Sequence, residues 1–184
     1  LIRAADVLYA DAADLYMDSS KLSEFINRVE QIEWHGQDVK AALTRLVKVF
    51  SSQPSETGIL ATTHNKIDKH FSKENVEEII KSLEKDPSEF AMETKQLLLS
   101  KSPSSLKITL KQLLNGEGRT IEECLATGLI LAKNFMLHTD FFEGVRSVVI
   151  DKDHTPQYTY KTLADFSDED TAKFFYDNGR IPFY

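Results

Sequence analysis

The chain has 184 residues, a formal net charge of −7, and a composition of 41% hydrophobic and 28% charged residues. This length and composition predict a globular protein of one domain, or at most two small ones. The acidic balance argues against a general nucleic-acid binder and gives no reason to expect DNA as a partner, because phosphates are bound by basic faces. The single cysteine, Cys124, excludes an internal disulfide. No apolar run approaches the ~20 residues that span a bilayer, so we expect no membrane segment.

The first third of the chain predicts helices and a long loop. It begins LIRAADVLYA, without Met and inside a helix-prone run, so we expect it to be the C-terminal part of a longer protein. At most a short strand is predicted near residues 14–17. Helices are predicted over residues 21–32 and 39–50, and the polar stretch SSQPSETG, residues 51–58, is the clearest loop.

The pattern then stays helical to about residue 158. Residues 59–71 form one predicted helix, and each later helix is expected to start at a capping residue. The predicted caps are Ser72, Asp86 and Ser102 (each of the last two before a proline), Thr120 in a capping box, Asp140 and Ser167. The last core helix is expected to bury Phe141, Val145, Val148 and Val149 against its neighbours.

Residue types alone point to no catalytic constellation. His64 and His70 lie six residues apart, on different faces of a helix, and not at the i, i+4 spacing of a zinc pair. We expect the histidines to be surface or capping residues, and Cys124 to be a small core residue. The chain contains no phosphate-binding loop, dinucleotide fingerprint or nucleophile elbow. We therefore expect neither a metal site nor a bound cofactor.

Four stretches carry a family resemblance. KSPSSLKITLKQLL (101–114) and DFFEGVRSVVIDKDHTPQY (140–158), with AADVLYADAADLYMDSSKL near the start and FSKENVEEIIKSLEKD in the middle, resemble the C-terminal part of 3-hydroxyisobutyryl-CoA hydrolases. These enzymes belong to the crotonase superfamily, and the resemblance runs from about residue 2 to residue 175. It implies a mainly α chain, the C-terminal helical region of a crotonase-type fold, with the β/α spiral core upstream and absent. The implied segments are the end of that core (1–18), a helical pair and loop (19–58), a C-terminal helical domain (59–158) and a polar tail with one short helix (159–184).

The resemblance also implies an activity: thioester cleavage of 3-hydroxyisobutyryl-CoA in valine breakdown. In such enzymes two backbone N–H groups form an oxyanion hole, and a glutamate and an aspartate handle the water and the proton. All of these precede the AADVLYA-like helix, so no catalytic residue is expected within the chain, and neither Glu143 nor Asp151 is given that role. Lys152 matches the lysine that lies close to the CoA nucleotide. Arg146 is a weaker candidate for contact with CoA, and Lys107 is weaker still; CoA itself is part of the substrate and not a cofactor.

Two other functions stay open. One is an enoyl-CoA hydratase or isomerase of the same superfamily. The other is a non-catalytic subunit of the mitochondrial ribosome, with ribosomal RNA and protein as partners. Under the hydrolase interpretation we expect acyl-CoA as substrate and self-association through the helical domain. The expected location is the cytoplasm in a bacterium or the mitochondrial matrix in a eukaryote.

Overall fold

The computed structural model describes residues 2–36, 38–177 and 179. Within these ranges the chain is helical, as the sequence predicts, and no helix there is long and apolar enough to cross a membrane. The α-helices are α1 Ala4–Tyr9, α2 Leu22–Glu30, α3 Val39–Phe50, α4 Leu60–Phe71, α5 Val76–Glu84, α6 Glu89–Leu99, α7 Pro103–Gly116, α8 Ile121–Phe135, α9 Thr139–Val145 and α10 Asp168–Lys173. Short 3-10 turns occur at Ser19–Lys21 and Leu163–Asp165, and a π-helical turn at Arg146–Ile150.

The strand predicted near residues 14–17 is reduced to one β-bridge in the described part of the chain. The Ser52 N–H donates to the Tyr16 carbonyl at 2.9 Å in an isolated antiparallel bridge. Aspartates at 14 and 18 flank only three apolar residues, and such a run is at the short limit for a strand.

Several predicted helix starts are confirmed by their capping geometry. Ser102 accepts from the Ser105 N–H at 3.4 Å with Pro103 as the first helical residue. Thr120 and Glu123 form the predicted capping box, in which each side chain bonds the other's backbone N–H. Ser167 accepts from the Asp170 N–H at 3.0 Å.

Two caps lie two or three residues later than predicted. Asn75, not Ser72, accepts from the Glu78 N–H at 2.8 Å and starts α5. Ser88, not Asp86, caps α6, because the Asp86 carboxylate accepts the N–H of Ser88 itself. A side chain that bonds a backbone N–H two residues on forms a turn before the helix and not the helix start.

The chain divides into two compact units, residues 1–68 and 69–184. In the first unit, the buried Asp6 carboxylate accepts from the Leu60 N–H at 2.7 Å and the Arg3 N–H at 3.2 Å. These bonds hold the pKa of Asp6 below its usual range although burial acts the other way. Gly58 packs against this carboxylate, and a Cβ there would lie 2.6 Å from its Oδ1. The loop therefore needs glycine at residue 58.

The second unit has two apolar clusters, both of which include α7. The first joins α5 to α6 through Ile79, Leu83 and Ala91, with Leu98 and Leu110 packed against it. The second joins α7 to α8 and the C-terminal segment; its members are Ile108, Leu131 and Phe166, with Phe135, Tyr160, Phe174 and Phe175 around them. The division into four segments predicted from the sequence stays a prediction, and residues 178 and 180–184 of its last segment lie outside the described residues.

His70 departs from the expectation of a surface or capping histidine. Its side chain has no exposed surface. Its Nδ1 lies 2.9 Å from Ser82 Oγ and its Nε2 3.1 Å from Asp86 Oδ2, so both ring nitrogens have partners. A buried polar ring is tolerated because its hydrogen bonds replace those lost to water.

Candidate functional site

An apolar groove in the second unit has the size and lining of a small-molecule site. Its volume is about 670 Å³, within the range of roughly 300–1,000 Å³ that small-molecule sites occupy. The wall comes from α5, α7, α9 and the π-helical turn; its polar members are Lys101, Ser102, Ser105, Thr109, Asp140 and Tyr158. A mostly apolar wall with a few polar groups suits a ligand that has an apolar chain and isolated carbonyls or hydroxyls.

The residues expected to be buried in the last core helix form part of this groove instead. Phe141, Val145, Val148 and Val149 all line it. Phe141 is 38% exposed, Val148 56% and Val149 63%, so the prediction of a buried face is wrong for these three. Val148 and Val149 lie in the π-helical turn, where the 3.6-residue spacing from which the buried face was predicted does not hold.

A buried carboxylate anchors one side of the groove. Asp140 is 4% exposed; its Oδ2 accepts from Ser102 Oγ at 2.8 Å and Ser104 Oγ at 3.2 Å, and its Oδ1 accepts from the Thr159 N–H at 2.8 Å. Burial raises the pKa of Asp140, but the bonds from Thr159 and Ser102 together outweigh it, and the pKa is lowered. The prediction that Asp140 caps α9 is wrong. The cap is His138, whose Nδ1 accepts from the Asp140 N–H at 3.3 Å. The Asp140 carboxylate ties three chain segments together.

Tyr158 contributes a hydroxyl to the groove that sequence reasoning did not single out. Burial raises the pKa of Tyr158, and the nearby Asp140 and Glu143 carboxylates raise it further. The phenol therefore stays protonated and can donate a hydrogen bond to a ligand. No spacing signal marks this residue, because it lies in an irregular segment after Pro156.

Arg146 is the centre of a dense ion-pair cluster. Its Nε and Nη2 bond Glu143 at 2.9 and 2.8 Å, and its Nη1 lies 2.6 Å from both Asp151 and Asp153. The remaining contact is to the Thr155 carbonyl at 3.5 Å. These contacts use the five N–H donors of a guanidinium. A phosphate contact by Arg146 would require this cluster to open, and the assignment of Arg146 to CoA binding stays a prediction.

The cluster also sets the charge state of its acids. Hydrogen bonding to Arg146 is the largest cause that lowers the pKa of Glu143, to about 2, and it lowers the pKa of Asp153 strongly as well. The same contacts raise the pKa of the Arg146 guanidinium above its usual value. Glu143 accepts the Gln157 N–H at 2.6 Å besides. Glu143 is therefore an ionised structural acid near neutral pH, and three hydrogen bonds to Arg146 and Gln157 hold its carboxylate.

Lys152 lies between the two aspartates that Arg146 holds. Its φ is +56°, in the left-handed region that non-glycine residues seldom adopt. Asp151 and Asp153 both turn towards Arg146, and the exposed Lys152 forms no ion pair with any described residue. Around this turn the carboxylates of Glu143, Asp151 and Asp153 outnumber the cations of Arg146 and Lys152. The net negative charge opposes phosphate binding, so Lys152 would have to contact a phosphate directly.

Lys107 is a largely buried lysine with protein partners. Its side chain is only 10% exposed, and its Nζ donates to the Phe166 carbonyl at 2.9 Å and to Glu77 at 2.6 Å. Asp168 lies 3.9 Å away. These partners tie α7 to α5 and to the start of α10. The structure does not bring Lys107, Arg146 and Lys152 into one site, and CoA binding by Lys107 stays a prediction.

The described residues hold no group of three or more His, Cys, Asp and Glu side chains placed to bind a metal ion. His138 stacks on Tyr160 at 6.1 Å and packs edge-on against Phe174 at 5.3 Å, which is a structural environment. Cys124 is half-buried on α8.

Comparison with known proteins shows which protein family the chain belongs to. A family model described as enoyl-CoA hydratase/isomerase matches residues 1–175. The chain belongs to this family. Curated members similar to it include the 3-hydroxyisobutyryl-CoA hydrolases, mitochondrial, of Mus musculus (34% identical), Rattus norvegicus (35%) and Homo sapiens (33%), each over 175 residues. The match covers 95% of this chain and 45–46% of each relative, so the chain spans about half the length of these family members.

Two solved structures share the fold. A carnitinyl-CoA dehydratase from Mycobacterium thermoresistibile superposes with a TM-score of 0.79 at 22% identity. An enoyl-CoA hydratase from Rhodobacter sphaeroides 2.4.1 superposes with a TM-score of 0.76 at 24% identity. Each match covers 95% of this chain and 48% of the other. These likenesses show that the chain has the fold of the matching half of each structure. The resemblance to 3-hydroxyisobutyryl-CoA hydrolases inferred from the motifs is confirmed by the curated relatives.

Proposed function

We propose that this chain is the C-terminal helical domain of a 3-hydroxyisobutyryl-CoA hydrolase-like thioesterase of valine catabolism, in which it completes the acyl-CoA pocket. The observation that carries the proposal is the 175-residue match at 33–35% identity to mammalian hydrolases of that name. A eukaryotic source would place the protein in the mitochondrial matrix, in keeping with the word mitochondrial in the names of these relatives, and a bacterial source would place it in the cytoplasm.

The groove is the part of the chain that we assign to the acyl-CoA. A thioester ligand has an apolar, amide-bearing arm, and the groove offers an apolar wall with the hydroxyls of Ser105 and Tyr158 for its polar atoms. The Asp140 anchor keeps the wall in place because it ties α7, α9 and residue 159 to one buried carboxylate.

Lys152 is the residue that we assign to a CoA phosphate. Its left-handed backbone and the engagement of both neighbouring aspartates with Arg146 leave its ammonium as the exposed cation of this turn. A compact ammonium acts on a phosphate as a point charge, and at about 4 Å in water each such contact is worth roughly 1 kcal/mol.

The chemistry itself is assigned to residues that precede this chain. The two acids of α9 near the groove already have hydrogen-bond partners: Arg146 and the Gln157 N–H for Glu143, and two serines and the Thr159 N–H for Asp140. A general acid or base needs a proton to exchange near the working pH, which neither provides.

Self-association is assigned to the apolar stripe of α8. Ile121, Leu125 and Leu129 lie at i, i+4, i+8 and are 66%, 66% and 59% exposed. Water-exposed aliphatic side chains at this spacing are typical of a helix face that another surface covers.

The first experiment measures thiol release from 3-hydroxyisobutyryl-CoA by the full-length protein and by residues 1–184 alone. We expect turnover by the full-length protein and none by the 184-residue chain. Turnover by the chain alone would contradict the placement of the acids upstream. Hydration of crotonyl-CoA without thiol release would instead identify a hydratase of the same family.

The second experiment tests Lys152 with a matched surface lysine. In the full-length protein, Lys152→Gln should raise KM for the CoA thioester about fivefold with kcat little changed, since about 1 kcal/mol of uniform binding is lost. Lys161→Gln removes the same charge from an exposed lysine nine residues later and should leave KM unchanged. Equal KM values for the two variants would exclude Lys152 from CoA binding.

A further inference from the structure

A second concavity in the second unit, which we call the lysine pocket, lies away from the groove. Its volume is about 490 Å³, and it is lined by Lys69, Lys73, Glu78, Lys81, Ser82 and Lys85. Four ammonium groups thus face one carboxylate, although the chain as a whole carries a net charge of −7. Such a local inversion of charge concentrates small anions.

Most of these lysines have no counter-ion. Lys69 donates to Asp86 at 2.5 Å, whereas Lys73, Lys81 and Lys85 form no ion pair with any described residue. Lys81 lies on α5 and Lys85 is the residue directly after its last turn, so the two stand at i, i+4, where like charges repel. An anion in the pocket would convert this repulsion into attraction.

Ser82 gives the pocket a fixed polar group between the flexible lysines. Its Oγ lies 2.9 Å from Nδ1 of the buried His70, and Nε2 of the same ring lies 3.1 Å from Asp86. Asp86 is held ionised, its pKa lowered most by the bond from Lys69 and then by the Ser88 N–H. The imidazole and the carboxylate behind Ser82 therefore set the position of its hydroxyl in the wall.

The lysine pocket and the groove lie on opposite faces of α5. Glu78, Lys81, Ser82 and Lys85 share one face at i, i+3, i+4, i+7. Val76 and Ile79 line the groove from the other face, beside the buried Leu83. A ligand of the lysine pocket is therefore separate from an acyl-CoA in the groove.

We propose that the lysine pocket binds the diphosphate group of a small phosphorylated molecule, independently of the acyl-CoA site. Three unpaired ammonium groups match the two to three negative charges of a diphosphate better than the single charge of a carboxylate. The volume admits a nucleotide-sized ligand, and a free diphosphate presents the same chemistry.

The test is calorimetric titration of the full-length protein with inorganic pyrophosphate, adenosine 5′-diphosphate and adenosine. Lys81→Gln with Lys85→Gln should weaken the binding of pyrophosphate about tenfold or more, because two of the close ammonium groups are lost. The control is Lys40→Gln with Lys48→Gln, two exposed lysines of α3, which should change the affinity less than twofold. Equal affinity for pyrophosphate and adenosine 5′-diphosphate would show that the pocket recognises the diphosphate alone. Tighter binding of adenosine 5′-diphosphate would show that the pocket also contacts the nucleoside.

Lysine acetylation read by mass spectrometry locates the bound anion. Pyrophosphate should protect Lys81 and Lys85 and leave Lys152 reactive. The proposal is overturned if pyrophosphate shows no binding at millimolar concentration, if the pocket variant binds it like the control, or if protection falls on Lys152. None of these outcomes depends on thioesterase activity, so the proposed function can fail while the lysine pocket stands.

Discussion

Removal of the Asp140 carboxylate is expected to cost more stability than any other single polar change in the second unit. Asp140→Ala removes the acceptor of the buried Ser102 and Ser104 hydroxyls, which then have only each other, and the acceptor of the part-buried Thr159 N–H. An orphaned buried donor costs about 1–3 kcal/mol, and the groove lets water replace part of the loss, so we expect about 3 kcal/mol in the free energy of unfolding. Chemical denaturation followed by circular dichroism measures this difference.

The matched variant is Asp140→Asn, which keeps the size of the side chain. Its Oδ1 can still accept from Thr159, and its amide can donate to the serine hydroxyls, which rotate to accept. We therefore expect a loss of only about 1 kcal/mol, which is the charge-dependent part. A cost below about 1 kcal/mol for the alanine variant, or equal costs for both variants, would refute the reasoning.

The pH dependence provides an independent check on the same residue. Because the folded pKa of Asp140 is lowered, its contribution is present above the unfolded pKa of about 4 and is lost as pH falls through the folded pKa. The stability difference between the protein and the Asp140→Ala variant should therefore be constant from pH 8 to 5 and shrink below about pH 4. A difference that grows on acidification would contradict the direction of the pKa.

Three further predictions concern other residues. Leu83→Ala, at a side chain 1% exposed, should reduce the free energy of unfolding by about 3 kcal/mol, whereas Leu83→Met should cost less than about 1.5, and denaturant titration separates the two. Gly58→Ala places a Cβ 2.6 Å from the buried Asp6 carboxylate and should destabilise the first unit by about 2 kcal/mol, while Gly36→Ala, with open space but φ +77°, reports backbone strain alone. The Glu143 carboxylate, with its pKa near 2, should stabilise the protein above the unfolded pKa of about 4.3 and lose this contribution as pH falls towards 2; Glu143→Gln should flatten that part of the acid-unfolding curve.

The two conclusions about function rest on separate features of the second unit. The groove and Lys152 belong to the proposed acyl-CoA site; Asp140 anchors the groove wall, and Arg146 holds the aspartates on either side of Lys152. The lysine pocket has no residue in common with the groove. Binding at one site can therefore be measured in variants of the other.

Local signals in the sequence predicted the helices and several of their starts. Ser102 before Pro103, the Thr120 capping box and Ser167 are short-range patterns whose hydrogen bonds close within three residues, so the sequence alone suffices. The family could also be predicted from the sequence, because its motifs occur in the same order over most of the chain.

Contacts between residues that are far apart in the chain could not be predicted from the sequence. His70 is buried because Ser82 and Asp86, 12 and 16 residues away, take both of its nitrogens. The acceptor role of Asp140 depends on serines 36 and 38 residues earlier. Likewise, the four lysines of the lysine pocket come from two neighbouring segments that only the packing of α5 brings to one concavity. Local capping follows from the residue types alone, whereas burial and the pairing of charges depend on which segments the tertiary structure brings together.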